Sequence, residues 1–500
     1  MPLSSAWESI DMTATSSGNG PVHARFDGPI VMVGFGSIGK GTLPLIERHI
    51  AFDRAKFVVI APDDDDRRLL DDRQIRFIHQ AVTKENYRDL LTPLLTGGPG
   101  RGMMVNLSVE TSSVDLIAFC KDIDVFYIDT VVEPWPGLYT DRTRSVAARS
   151  NYALRESVLD LRRRRPGGIT AVSCCGANPG MVSWMVKQAL IGVARDLGIT
   201  GDAPKAREGW ARLMQRVGVK GVHIAERDTQ RARDPKPRGV FVNTWSIEGF
   251  YEEGTAPAEL GWGTHERRLP KYAHTPIGGP GNQIFLAQPG MRTFVHSWVP
   301  AGGPIIGMVV RHAESFTISD HLTVWDDTIE GRRAVYRPTV HYAYMPCDNG
   351  LLSLHELAMR NYQLQPTLRI MSEEIVDGMD ELGVLLMGHG LTTWWTGSQL
   401  DIHEARRLVQ GQNATTLQVA AGVLAGLVFM IDNPRKGILV PDELPFREIL
   451  DVAGSYLGPC PSVRTSWTPL ESRSRLFGKW GAPPVDDSDL WQFASFAVEP

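Results

Sequence analysis

Short apolar, β-branched runs alternate along the first third of the chain with stretches whose apolar residues recur at helical spacing. Residues 29–34 (PIVMVG) predict a buried strand, 39–50 a helix, and 57–61 (FVVIA) a second strand. From Thr83 onward, Tyr87, Leu90, Leu91 and Leu94 share one helical face. Strands are then predicted over 103–107, 124–128 and 169–173, with a helix over 113–120. Strands alternating with helices imply a parallel sheet covered on both faces.

The pattern changes near Asn178. A long helix is predicted over 181–197, with Met181, Trp184, Met185, Ala189 and Val193 on one face. Residues 205–238 read as basic and irregular. Beyond them, FVNTW, FLAQP, FVHSWVP and IIGMVVRH look like short strands between Gly/Pro turns, the mark of a second, α+β domain. Helix returns over 415–431, and Pro/Gly-rich turns follow. The apolar run from 417 to 431 is interrupted by Gln418 and reads as too short to span a bilayer. Arg162–Arg165 read as a solvated helix end. The expected division is a disordered tail (1–27), a nucleotide-binding domain (28–177), an α+β substrate and dimerisation domain (178–390) and a C-terminal segment (391–500). That accords with about three domains for 500 residues.

Composition narrows the class. With 43% hydrophobic and 22% charged residues and a net charge of −5, the chain is an ordinary globular one, not an all-over basic nucleic-acid binder. Five cysteines without a C-x-x-C pair point to a reducing compartment. The first 28 residues hold no apolar signal core, so a cytoplasmic protein with neither nucleic-acid nor membrane partner is expected.

Gly34-Phe35-Gly36-Ser37-Ile38-Gly39 is a G-x-G-x-x-G between a predicted strand and helix. It serves a tight turn, a close approach to a pyrophosphate and close helix–strand packing, with the helix N-terminus facing the phosphates. The fold class expected is α/β, Rossmann-like, with the second α+β domain appended or inserted. Asp63, after the second strand, could accept hydrogen bonds from both ribose hydroxyls and favour NAD over NADP; a solvated acidic loop is the other reading. A P-loop is rejected, because Gly41 stands where Ser or Thr would hold magnesium. No metal-ligand or nucleophile-elbow signature occurs. Cys174-Cys175 reads as buried small side chains, with a reactive thiol the alternative.

Residues 239–266 (GVFVNTWSIEGFYEEGTAPAELGWGTHE) carry five glutamates among Trp245, Tyr251 and Trp262, and no Lys, Arg or Asp. This stretch holds −5 by itself, and the rest of the chain balances at 52 basic against 52 acidic residues. It is either a hydrated loop anchored by aromatics or a pocket for an organic cation, in which carboxylates fix ammonium ends and an indole face attracts the charge. Hydride abstraction beside an amine needs that nitrogen deprotonated, and the resulting iminium would be stabilised by such groups.

NTWSIEGFYEEGTAPAELGWGTHE, with GFGSIGKG, NLSVETSS, YIDTVVEPW and CGANPGMVS, resembles the bacterial homospermidine synthases from about residue 27 to the C-terminus. GANPGMVS and NPRKGILVPDELP resemble, more distantly, the saccharopine dehydrogenase group. The resemblance implies a homodimer that converts two putrescines to homospermidine and ammonia with NAD as a recycled hydride shuttle, spermidine also serving as a donor. It implies that Trp245 holds cationic intermediates, that Glu226 and Glu253 are active-site carboxylates, that Asn178 lies near the nicotinamide, and that Glu133 lies on the pocket wall. Glu110 and Asp377 are the implied substrate contacts and His312 a further catalytic group. Asn106, Leu107, Ser108, Thr130, Ala177 and Pro179 would join Gly34, Gly36, Ser37, Ile38 and Gly39 around the nucleotide. Bland readings stand beside these: a surface ion pair for Glu226, a core histidine for His312, a turn cap for Asp377 and core packing for Trp245. The rival functions are an NAD(P)-dependent polyamine or saccharopine-type reductase, and a non-catalytic NAD-sensing protein.

Overall fold

The structure is a computed structural model that describes residues 20–326, 328, 332–471, 481 and 487–498. Residues 1–19 of the expected tail lie outside the described residues. The rest of that tail is ordered: Ala24–Phe26 is a strand parallel to Ile50–Phe52.

The first half builds a seven-stranded parallel sheet. Its strand Ile30–Val33 is interior and buried on both faces, hence the unbroken apolar run. Phe57–Ala61 pairs on one side of it and Met103–Asn106 on the other. The strand order therefore reverses beside the glycine loop, where open α/β sheets bind ligands. Phe126–Asp129, Ala171–Val172 and finally Ile438–Leu439 extend the sheet. The C-terminal segment thus supplies the seventh strand, and the second domain is inserted between the sixth and the seventh.

That domain contains a ten-stranded mixed sheet. Its middle strands are Thr339–Met345 and Gly221–Asp228, paired in parallel, with Met379–His389 antiparallel on the far side. Two sequence expectations need correction here. Residues 205–238 are not irregular: Arg207–Val217 is a helix with Trp210, Leu213, Met214 and Val217 buried, and Gly221–Asp228 lies at the heart of the sheet. The boundary at 390/391 falls in the turn of a hairpin, because Met379–His389 and Thr392–Asp401 pair along their length. The residues beyond it serve both sheets.

The Ala414–Asp432 helix joins the halves. Its 19 residues are long and apolar enough to cross a membrane by length and composition, more than the sequence reading allowed, but 89% of its apolar window is buried in the protein. Asn413 caps it, accepting from Thr416 N, and donates to the carbonyls of Thr244 and Met371. Two helix glycines permit the packing. A Cβ at Gly422 would lie 2.1 Å from the Gly176 carbonyl oxygen, and one at Gly426 would lie 2.6 Å from Cys175 Sγ. Gly41 of the Ser37–His49 helix faces Gln412 and Ala420 in the same way, so that glycine serves helix packing. Gly422→Ala is therefore expected to destabilise by about 1–3 kcal/mol despite alanine's better helix propensity. Thermal melting checks this, and a variant melting at or above the parent temperature would contradict the packing argument.

Candidate active site

The glycine loop is built for a close ligand. Gly34 has φ +88°, and a Cβ there would lie 2.8 Å from the Leu107 carbonyl and Ser108 N. At Gly36 a Cβ would meet nothing within 4 Å, which leaves open space at the N-terminus of the 13-residue helix Ser37–His49. Ile38 lies half-buried in the first turn and Gly39 packs against Gly34 and Met32. Asp63 is exposed, two residues past the second strand.

Asn106, by contrast, turns inward. Its amide donates to Thr111 Oγ1 and Tyr127 OH and accepts from Ser108 Oγ at 2.7 Å, so this side chain shapes the loop of Leu107 and Ser108 rather than facing a ligand. Thr130 is half-buried, while Ala177 and Pro179 are buried around Gly176, whose N–H the Pro179 carbonyl accepts. Cys174 and Cys175 are buried, and desolvation pushes both thiols up. They are packing groups. Asp129, inside YIDTVVEPW but not singled out there, holds that turn by accepting from Cys174 N and Ser173 Oγ.

The two halves meet where Asn178 Nδ2 donates to Glu226 Oε2 at 2.9 Å. Glu226 is buried in the Gly221–Asp228 strand, and Tyr342 OH donates to the same oxygen. Burial pushes the Glu226 carboxyl well above its ordinary value; Tyr342 opposes this, Asp228 adds to it, and His312 and Asn178 oppose it. Tyr344, stacked on Tyr342 with centroids 5.2 Å apart, lies 3.3 Å through its hydroxyl from Trp245 Nε1. The Trp245 carbonyl in turn accepts from Ser37 Oγ at 3.1 Å, which ties the indole's backbone to the nucleotide loop.

Ser246 caps the helix Ile247–Thr255 that carries Glu252 and Glu253. Glu253 Oε1 lies 2.6 Å from His312 Nε2, and the other ring nitrogen lies 3.0 Å from Oε1 of fully buried Glu314. Both nitrogens face carboxylates, so a doubly protonated ring satisfies both. Burial opposes that charge, but Glu253 and Glu314 outweigh it and raise the His312 pKa well above its ordinary value. Arg311 pairs with Glu252 at 3.1 Å and stacks over Tyr139 at 4.3 Å. Half-buried Glu133 is pushed up to about 8 by desolvation and then by Glu252, against Arg311 and the Glu110 N–H that donates to it.

The structure thus brings together Trp245, Glu226, Glu253, Asn178, Glu133 and His312, with Glu110 exposed at the edge in a left-handed turn (φ +58°). It does not bring in Asp377. That carboxylate is 67% exposed and 3.8 Å from Arg231, because the Ile375–Asp377 strand pairs with Arg231–Ala232 instead. The acidic segment is also only partly a site. Glu248 is exposed, Glu259 accepts from the backbone of Asn151 and Tyr152, and Glu266 accepts from Phe493 N and Thr339. Tyr251 reaches the Tyr362 carbonyl, and Trp262 packs on Phe493. Nor is the cluster free of arginine, since Arg311, three residues past the Gly303–Met308 strand, joins it. Sequence reasoning missed Tyr342, Tyr344, Arg311 and Glu314. The spacing HYAY on one strand, which places both phenols on one face, was the available signal.

Two family models match the chain, the saccharopine dehydrogenase NADP binding domain over residues 30–172 and the saccharopine dehydrogenase C-terminal domain over 176–459. Homospermidine synthase of Blastochloris viridis is 58% identical, with 96% of this chain and 99% of the relative covered. That of Mesorhizobium japonicum is 52% identical over 96% and 98%. The chain belongs to the homospermidine synthase family. Among solved structures, the homospermidine synthase of Legionella pneumophila in complex with NAD superposes with a TM-score of 0.86 at 37% identity, covering 95% of this chain and 98% of that one.

Two outcomes test the site's physics. A folded-state carboxyl raised by burial keeps its proton where the unfolded chain has lost it, so stability falls as pH rises from the ordinary 4.5 toward the raised value. Glu226→Gln removes that cost while keeping acceptors for Asn178 and Tyr342. It is expected to raise Tm by a few degrees at about pH 8 and to change it little at about pH 5; melting curves at both pH values check the sign. At Gly249 a Cβ would lie 2.6 Å from the indole ring of Trp245. Gly249→Ala should therefore shift the indole and its fluorescence while melting within a few degrees of the parent.

Proposed function

We propose that this chain joins two putrescines into homospermidine with release of one ammonia and no net oxidation. The glycine loop, the open space at Gly36 and the helix N-terminus fit NAD. When bound, NAD supplies the reversible hydride acceptance that activates an amine-bearing carbon and later reduces the product imine. What carries the reading is the convergence of an indole, a buried acid and a carboxylate–imidazolium–carboxylate string beside Asn178, in a chain 52–58% identical to homospermidine synthases.

In this reading Glu226 Oε1 takes the proton of the first amine, which frees the nitrogen lone pair. Asn178 and Tyr342 hold Oε2 and fix the carboxylate plane. The Trp245 face stabilises the cationic imine by attraction to its ring electrons. Glu253, held by His312, receives the distal ammonium, and one of its oxygens, Oε2, has no hydrogen-bond partner among the described residues. Glu133, which desolvation pushes up to about 8 and so keeps protonated near neutral pH, gives its proton to the nitrogen that departs as ammonia. Spermidine enters as an alternative donor through its aminobutyl arm. A homodimer in the reducing cytoplasm completes the reading; all five cysteines are free. A carboxylated substrate fits less well, because Arg311 is already engaged by Glu252 and Tyr139.

Incubating the purified chain with NAD and putrescine alone should yield homospermidine and ammonia in equal amounts. Absence of both, with NAD demonstrably bound, would leave the NAD-sensing reading in its place. Trp245→Ala should keep NAD and lose turnover by about thirtyfold, the equivalent of about 2 kcal/mol of cation–π stabilisation; near-normal turnover would remove that role.

A further inference from the structure

We infer that Tyr342 is the positioning residue of the acid–base centre, holding Glu226 by one oxygen and presenting the other to the amine. This rests on the reading of Glu226 as the proton acceptor. The Thr339–Met345 strand runs parallel to Gly221–Asp228, with Tyr344 opposite Glu226 and Tyr342 opposite Ile224. Residues two apart share a face, so both phenols stand on the face of Glu226.

Their hydrogen bonds have a forced direction. Asn178 Nδ2 is a donor only, and it lies 2.5 Å from the Tyr342 oxygen and 2.9 Å from Glu226 Oε2. The phenol oxygen therefore accepts from Asn178, and its single proton goes to Glu226 Oε2. Burial and the neighbouring Glu226 raise the Tyr342 pKa well above the ordinary value, which keeps that proton in place. Both donors converge on Oε2, and no hydrogen bond among the described residues uses Oε1. The carboxylate is left with one oxygen fixed and one available.

Other groups facing Glu226 act differently. Asp228 on its own strand and Asp380 on Met379–His389 are buried acids that disfavour its charge, whereas His312 favours it. The Tyr344 hydroxyl accepts from Trp245 Nε1, and no hydrogen bond joins it to Glu226 among the described residues. Tyr342 and Asn178 are the direct donors, and of the two only Tyr342 also packs its ring on both Tyr344 and His312, with centroids at 5.2 and 4.6 Å. It sets the carboxylate in register with the indole and the imidazolium.

The test is the pH dependence of kcat for homospermidine formation at saturating NAD and putrescine, with NAD affinity measured alongside. Tyr342→Phe keeps the ring stack and removes the hydroxyl. It should bind NAD normally and move the acid limb to higher pH by about one unit, since a lost donor to the charged form disfavours ionisation. On the acid side kcat then falls about tenfold and rejoins the parental plateau at high pH. Tyr344→Phe should lower kcat at every pH and leave the limb in place. An unmoved limb in Tyr342→Phe, loss of NAD binding, or an equal limb shift in Tyr344→Phe overturns the assignment. A parent chain that forms no homospermidine instead overturns the proposed function itself.

Discussion

A single buried carboxylate, Glu226, sets the terms for the rest of the molecule. A charged or half-charged acid in a sheet interior is costly unless its oxygens are met by donors. Here the donors come from separate places in the chain: the amide of Asn178 from the turn that follows the sixth strand of the nucleotide-binding sheet, and the phenol of Tyr342 from the strand beside Glu226. The Ala414–Asp432 helix makes the meeting possible, because its glycines let it lie against Gly176, directly before the Ala177–Asn178–Pro179 turn, while its cap holds the Thr244 carbonyl next to Trp245.

What could be read in the sequence divides along physical lines. The nucleotide half was legible because its signals are local. Strands such as FVVIA are buried on both faces, and the glycine motif needs only one loop to make sense. The second half was obscured by polarity at its surface. Arg207–Val217 is rich in charge, yet Trp210, Leu213, Met214 and Val217 keep helical spacing. Gly221–Asp228 ends in a charged run (AERD) that resembles a solvated loop.

The site's carboxylates were partly found for an incomplete reason. Concentrating the −5 in residues 239–266 drew attention to Glu252 and Glu253, but Glu259 and Glu266 from the same stretch hold backbone together elsewhere. The groups that answer those acids, Arg311 and His312, arrive through tertiary contacts alone. Family resemblance named most of the side chains that the structure brings together. It carried Asp377 too, which the fold leaves at the surface beside Arg231.

Charge accounting links these pieces to the proposed substrate. Glu133, Glu226, Glu252, Glu253 and Glu314 surround Arg311 and His312, and Asp228 and Asp380 lie beside Glu226, so acids outnumber cations in this half-buried space. Desolvation resists that excess, and the raised pKa of Glu226 and of Glu133 relieves it by keeping protons on both. A dication entering such a site would favour the Glu226 anion, so that its proton leaves as the substrate's charge arrives, while Glu133 keeps the proton it later gives to ammonia. The site would thus take up the diamine's charge while its buried acid becomes the base that the first amine requires.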